Sequence, residues 1–409
     1  MQKVSTKQDI QLASWAQNTQ PSTIQEMLAI ATQPDVLSFA LGLPAAELFP
    51  AEAYAQATAR VIAADTRSLQ YGPPCYDLKR HIVALMTLRG VACNEDQIFL
   101  TTGAQQAMSL LARLLLNAQG SILLEESVYS GILQAVEPLQ PHILTVPTHP
   151  KTGIDLEAVA ALFERGARPA FLYIITDGHN PVGISLSLEK RRHLVDLARQ
   201  YHIPILEDDA YGMLHYDTQI LPPLQALNED GVFYIGSFSK ILAPALRVGW
   251  IVAPKALLPL LATLKEGSDI NTATLAQRTI AAYLETGHLP DHIVKLRQEY
   301  KARRDAMIET LKATFPPGTS YATPRAGMFI WVELPGKIEA SAVLQLTLTK
   351  ERVAFVPGDA FSADGSSHAS HCLRLNFSHC SSERIKYGIA LIARQLQSFY
   401  PASENWQIK

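Results

Sequence analysis

Val232-Phe233-Tyr234-Ile235, running into Gly236-Ser237-Phe238-Ser239-Lys240 with Arg247 close behind, is the stretch whose reading decides the fold. The apolar run reads as a short buried strand, so Lys240 falls at its carboxyl end, where open α/β sheets receive their ligands. Two hydroxyls just before the lysine and an arginine just after it can bind a phosphate while the amine reacts with an aldehyde. One lysine proves little alone, because lysines are mostly solvated surface charges. The weight therefore rests on what accompanies it along the chain.

Upstream, strand and helix patterns alternate. Strands are expected at Gln97 to Thr101, Ile122 to Leu124, Ile143 to Val146, Phe171 to Ile175 and Ile203 to Leu206. Helices are expected from Ala104 to Leu116 and from Leu188 to Tyr201, the latter carrying Leu194, Leu197, Ala198 and Tyr201 on one face. Continuous apolar strands between helices imply an α/β fold with a mainly parallel sheet sandwiched by helices. Arg247 to Val252 is expected to close that sheet. Beyond it, helical segments run to about Phe315, and strands at Met328 to Leu334, Val353 to Val356 and Leu373 to Phe377 precede a last helix, Ser382 to Phe399. The expected organisation is an N-terminal arm (1–46), a large cofactor-binding domain (47–290) and a small α+β C-terminal domain (291–409). In the arm, Ser22 is placed to cap a short helix, and Gly42 and Pro44 enforce an extended path.

The bulk numbers exclude several classes. A chain of 409 residues, 48% hydrophobic and 18% charged, is a folded protein with ample core. A formal charge of −3 gives no general attraction for nucleic acid or anionic membrane. Neither a signal-peptide core nor an apolar run of ~20 residues is present, and a cytoplasmic protein is expected. Cys75, Cys93, Cys372 and Cys380 lack CxxC spacing. Two of them stand near His368, His371 and His379, but Leu373 to Phe377 alternates like a strand and would spread these side chains apart, so no metal site is expected.

Five features at strand ends fit one chemical task. Thr102-Gly103-Ala104-Gln105 opens a helix whose free N–H groups suit a phosphate. Tyr129 follows Glu125-Glu126 and can stack on a flat ring. Asn180-Pro181 follows the Phe171 strand, where the amide can donate to a phenolic oxygen. Glu207-Asp208-Asp209-Ala210-Tyr211-Gly212 reads either as a solvated acidic loop or as a carboxylate and a phenol addressing two edges of one heterocycle. Ser237, Ser239 and Arg247 offer charge-assisted hydrogen bonds to a dianion, each worth roughly 1.5–3 kcal/mol. Together with Lys240 these are the parts required by pyridoxal 5'-phosphate.

With those residues in place, the chain resembles the fold type I pyridoxal-phosphate aminotransferases of the aspartate aminotransferase superfamily. It is most similar to the branch holding the α-aminoadipate and kynurenine aminotransferases and the effector domains of MocR-type regulators. The likeness runs from about Ser22 to Phe399. It includes Leu43-Pro44, Glu47-Leu48-Phe49-Pro50, Tyr71, Asn180-Pro181, Asp208 with Tyr211, Ser237-Phe238-Ser239-Lys240, Arg247, Gly327-Met328-Phe329, Trp331, Val356-Pro357-Gly358 and Arg374.

The resemblance implies an amino transfer from an L-amino acid to a 2-oxo acid by a ping-pong mechanism through a Lys240 aldimine. By the same likeness Lys240 then shuttles the proton, Asp208 keeps the pyridine nitrogen protonated, and Asn180 and Tyr211 bond the phenolic oxygen. Tyr129 stacks on the ring, while Gly103, Ala104, Gln105, Ser237, Ser239 and Arg247 hold the phosphate. Arg374, with Asn180 and Gly42, receives the substrate, Gln25 lies toward its side chain, and Tyr71 completes the other subunit's site in a homodimer.

Departures from the family's pattern bear on the substrate. Gln25 stands where the aminoadipate branch has an arginine for acidic side chains, and Leu41 adds bulk beside Gly42-Leu43-Pro44. Cys75 lies near an expected glycine, Gly178 replaces an aromatic, Val182 a threonine, Ala326 a glycine and Ala104 a phosphate-binding serine. A glutamine cannot pair with a distal carboxylate, so a neutral, apolar or aromatic donor is expected. Two other readings stay open: a lyase, racemase or decarboxylase on the same cofactor, and a sensor module of the MocR kind. The latter expects a basic winged-helix domain upstream, which a chain starting its arm at Met1 is expected to lack.

Overall fold

A computed structural model describes residues 11–17, 23–31, 33–216, 220–336 and 338–400. The Ser22 cap lies outside the described residues. Seven strands form the main sheet: β1 (Ile98–Thr101), β2 (Ser121–Glu125), β3 (His142–Val146), β4 (Leu172–Ile174), β5 (Ile205–Asp208), β6 (Val232–Ser237) and β7 (Gly249–Val252). Their order is β1-β7-β6-β5-β4-β2-β3, and every pairing is parallel except those of β7. Both faces are covered, which explains why Ile122, Leu123, Leu124, Ile205, Leu206, Val232 and Ile235 are fully buried and why the strands read as unbroken apolar runs.

The one antiparallel strand has a local cause. The link from β6 to β7 is too short for a crossover helix, so the chain must turn back on itself. β7 therefore enters between β6 and β1, with Gly249 opposite both Ser237 and Thr101. It lies in the sheet's interior and does not close it as expected. The consequence is functional: Arg247, just ahead of β7, lies at the same edge as the carboxyl ends of β1, β2, β4, β5 and β6.

The second sheet is antiparallel. It contains β8 (Ser320–Tyr321), β9 (Phe329–Glu333), β10 (Val356–Pro357) and β11 (Cys372–Asn376) in the order β8-β9-β11-β10. Helices Leu289–Thr314 and Ser382–Leu396 pack on each other beside it. The expected strand Val353 to Val356 is split, because Val353–Ala354 pairs in parallel with Leu37–Ser38 whereas Val356–Pro357 pairs with β11. The arm is thereby stitched into this part of the chain: Phe39 N donates to Ala354 O at 2.7 Å, and Asn376 N donates to Phe39 O at 2.9 Å. Among the described residues no helix is long and apolar enough to cross a membrane.

The strand expected at Ile203 to Leu206 runs instead from Ile205 to Asp208. Pro204 has no N–H for the ladder, and the pairing continues through Asp208 opposite Ile235. Asp208 is thus a strand residue, held more rigidly than a loop position would allow.

Candidate active site

A cavity of about 290 Å³ opens where the strands of the main sheet end. Five strands deliver residues to it: Ala104 and Gln105 after β1, Tyr129 after β2, Asn180 after β4, Asp208 at the end of β5 with Tyr211 after it, and Ser237 at the end of β6 with Ser239 and Lys240 after it. Arg247 enters ahead of β7, Arg374 comes from β11, and Gly42 comes from the arm. Gly103 stands directly behind the lining. Its φ is +80°, and an added Cβ would lie 2.6 Å from Arg247 Nη2, so only glycine lets the guanidinium lie against the turn.

Lys240 Nζ donates to Gly42 O at 2.7 Å. Burial, reinforced by the charges of Arg374 and Arg247 and opposed by Asp208, lowers its pKa to about 8. The amine is therefore closer to its nucleophilic, uncharged form than an exposed lysine. Asp208 is only 3% exposed. Its Oδ2 accepts from Tyr173 OH at 2.9 Å, while Oδ1 is buried with no partner among the described residues. Burial, aided by neighbouring Asp209 and opposed by the Tyr173 bond and by Lys240, raises its pKa to about 6.

That value has a consequence for stability. Between the ordinary 3.8 and about 6, the folded chain keeps a proton on Asp208 that the unfolded chain has released. Stability from this group therefore falls as pH rises through the window, by roughly 3 kcal/mol in all. Asp208→Asn keeps an acceptor for Tyr173 and removes the buried charge. Cofactor-free Asp208→Asn is expected to melt above wild type near pH ~8 and level with it near pH ~4; equal melting at both would refute the assignment of this strained carboxylate.

Arg374 is buried on β11, one of the two interior strands of the second sheet, opposite Trp331 and Val356. Nη1 donates to Asn180 Oδ1 at 2.7 Å and Nη2 to Ala40 O, while Nε has no partner among the described residues. Its guanidinium lies over the rings of Phe329 and Phe361 at 4.2 and 4.5 Å. Burial, opposed by Tyr211 and Tyr129, lowers its pKa to about 10, and no carboxylate pairs with it among the described residues. Asn180 also hydrogen-bonds the Tyr211 hydroxyl, whose pKa burial drives upward. Beside Lys240, Ser237 Oγ donates to Ser239 Oγ at 2.9 Å and accepts from Ser239 N at 3.1 Å.

The stretch from Glu207 to Asp209 is no solvated loop, since all three carboxylates are buried. Strand alternation sends Asp208 to the cavity and its neighbours elsewhere. Glu207 accepts from Thr176 Oγ1 at 2.8 Å and from the N–H groups of Leu224 and Gln225. Asp209 accepts from Arg89 Nη2 at 2.9 Å, Tyr234 OH at 2.8 Å and Gly212 N at 2.7 Å. Arg89 and Arg191 share Asp177 at 2.9 and 2.6 Å. Both flanks of Asp208 are thus fixed by buried, charge-assisted hydrogen bonds.

Besides Gly103, two expected residues lie outside the lining. Gln25 is exposed, one turn before Leu28, whose side chain does line the cavity. Tyr71 is 72% exposed and lines a separate groove with Ile270 and Asn271. Sequence reasoning missed Leu28, Ile175, Ala210, Pro244 and, above all, Tyr173. The signal for Tyr173 was a hydroxyl in an otherwise apolar strand. Its parallel register opposite Leu206 puts it on the same sheet face as Asp208. The ligand-type side chains near the C-terminus serve elsewhere: His368 Nε2 bonds Ser127 Oγ at 3.0 Å, and Cys380 Sγ contacts Ser38 O at 3.7 Å.

The arrangement fits a flat phosphorylated aldehyde. It has an unpaired carboxylate oxygen for a ring N–H, a glycine-cleared helix start with an arginine for a phosphate, an amine of lowered basicity, and an unpaired guanidinium N–H for a second anion. Residues 34–392 match the family described as aminotransferase class I and II, and the chain belongs to that family. It is 35% identical over 384 residues to the aromatic-amino-acid aminotransferase 1 of Thermococcus litoralis, covering 92% of this chain and 91% of that one. Its structure is similar to the α-aminoadipate aminotransferase LysN of Thermus thermophilus complexed with N-(5'-phosphopyridoxyl)-L-leucine, with TM-score 0.87 and 34% identity, over 95% of this chain and 97% of that one. The kynurenine aminotransferase of Pyrococcus horikoshii superposes with TM-score 0.89 at 31% identity, over 96% and 98% of the two chains.

Proposed function

We propose that this aminotransferase takes the amino group from a neutral L-amino acid with an apolar or aromatic side chain and passes it to a 2-oxo acid in two ping-pong half-reactions. The cofactor is pyridoxal 5'-phosphate. When bound, it supplies an aldehyde carbon to carry the amino group and a ring that takes up the electrons released at the substrate's Cα.

The protein's residues do the rest. Lys240, whose Nζ lies at Gly42 O in the cavity, would hold the cofactor at its aldehyde end and would be the base that moves a proton at the substrate's Cα. Asp208 Oδ1 holds a proton at the ring nitrogen, with Tyr173 fixing the carboxylate's orientation. Tyr129 orients the ring, and Asn180 and Tyr211 bond its phenolic oxygen. Gly103, Ala104, Gln105, Ser237, Ser239 and Arg247 bind the phosphate. Arg374 grips the substrate's α-carboxylate.

The substrate class rests on one observation. The cavity's lining contains three cations, Lys240, Arg247 and Arg374, and each already has a task, whereas the remaining wall includes Leu28, Leu41, Leu43 and Phe329. Among the described residues no basic side chain of the lining is left for a distal carboxylate, and an unpaired buried carboxylate costs several kcal/mol. The name of the Thermococcus litoralis relative supports an aromatic donor. The working unit proposed is a cytoplasmic homodimer in which the exposed Tyr71 reaches the partner's cavity.

A panel of amino acids mixed with the loaded enzyme tests this. Leucine, methionine, phenylalanine and tyrosine are expected to discharge the visible absorbance and release their oxo acids. Discharge by glutamate and aminoadipate alone would sink the substrate class, and discharge without an oxo acid product would point to a lyase or racemase.

A further inference from the structure

The turn at the phosphate end of the cavity is gripped from behind. Helix Leu258–Asp269 carries Lys265 and Asp269 one turn apart. Lys265 is only 6% exposed. Its Nζ donates to Gln106 Oε1 at 2.6 Å, to Asp269 Oδ1 and Oδ2 at 2.8 and 3.0 Å, and to Thr102 Oγ1 at 3.4 Å. Thr102 Oγ1 donates to Asp269 Oδ2 at 2.6 Å, and Thr102 N donates to Gln106 Oε1 at 2.8 Å. The remaining polar group of Thr102, its carbonyl oxygen, accepts from Arg247 Nη2 at 3.3 Å.

Every polar atom of Thr102 is therefore committed, and Gly103 follows it. Lys265 holds both sides of the turn at once, through Thr102 before Gly103 and through Gln106 in the first turn of helix Ala104–Leu115. An ordinary helix ion pair one turn apart would be solvated and worth a few tenths of a kcal/mol. Here the lysine is buried against a half-buried aspartate, and burial lowers the lysine's pKa. Burying an ammonium is costly unless its geometry is well satisfied, which a methionine would avoid.

We propose that Lys265, together with Asp269, is a positioning residue for the cofactor's phosphate: it fixes the Thr102–Gln106 turn and, through Thr102 O, the Arg247 guanidinium. Lys265 touches neither cofactor nor substrate in this role. The inference rests on the pyridoxal-phosphate reading above.

The experiment compares two ligands on cofactor-free protein by absorbance titration: pyridoxal phosphate and pyridoxal, which lacks the phosphate. Lys265→Met is expected to weaken pyridoxal phosphate about 10-fold or more, the effect of losing ~1.4 kcal/mol of binding, and to leave pyridoxal affinity unchanged. Thr102→Val, which cuts the same link at its other end, carries the same expectation should Lys265→Met not fold. Lys265→Arg, which keeps the charge and the donors, is expected to recover part of the loss. Equal weakening of both ligands would show general structural damage and overturn the inference, as would no change in either. Wild-type protein that bound pyridoxal but showed no added affinity for the phosphate form would overturn it too. Wild type binding neither ligand would bring down the cofactor reading, and this inference with it.

Discussion

Lys240→Ala is expected to lose the visible absorbance of the lysine-bound cofactor and to lower the turnover number by about 10²–10⁴-fold or more, the range for removing a positioned proton-transfer group. Among the described residues the lining holds one amine, Lys240, so no described neighbour stands ready to replace it. The variant should nevertheless retain pyridoxal phosphate through ultrafiltration, because Asp208, Arg247 and the serines remain. A variant that kept the absorbance band would end the assignment of Lys240. One that lost the cofactor entirely would show that the covalent link, and not the phosphate cradle, supplies most of the affinity.

The second large effect is expected at Arg374. Lysine there keeps the charge and loses the planar fork that reaches Asn180 Oδ1 and Ala40 O while leaving Nε open. Breaking a buried, hydrogen-bonded charge pair costs about 2–5 kcal/mol. Arg374→Lys should therefore lower kcat/KM for every amino acid donor by roughly 10²-fold or more, with cofactor affinity unchanged. The matching amines without a carboxylate provide the control: their slow reaction should be the same in both proteins. If the amines suffered as much as the amino acids, Arg374 would be holding the cavity's shape and not the carboxylate.

Much of the site was legible because parallel α/β sheets put their working residues at one edge, and every strand that reads as an apolar run announces where that edge lies. Lys240, Asp208, Asn180 and Tyr129 each follow or end such a run, and all four line one cavity. What stayed hidden depends on contacts between residues remote in sequence. The carboxylates of Glu207 and Asp209 look solvated until Arg89, Tyr234 and the turn at Leu224 are brought against them. Tyr173 becomes meaningful only once register puts it beside Asp208. The break within Val353 to Val356 could not be read locally, because its cause is the arm arriving to pair with half of the run. Gln25 and Leu28 share a helix face, and only the packing of that helix tells which of the two reaches the cavity.

The stitched arm also sets a timetable. Lys240 Nζ is held by the carbonyl of Gly42, and Arg374 by that of Ala40, while the backbone around Phe39 is pinned to Ala354 and Asn376. A nascent chain can complete the main sheet, lysine included, long before the residues that pin the arm have left the ribosome. Until they do, nothing fixes the carbonyl against which the lysine rests, and contacts so distant in sequence form late. The enclosure around the lysine is thereby completed only when the last strands have folded, and an unfinished chain would carry the reactive lysine without it.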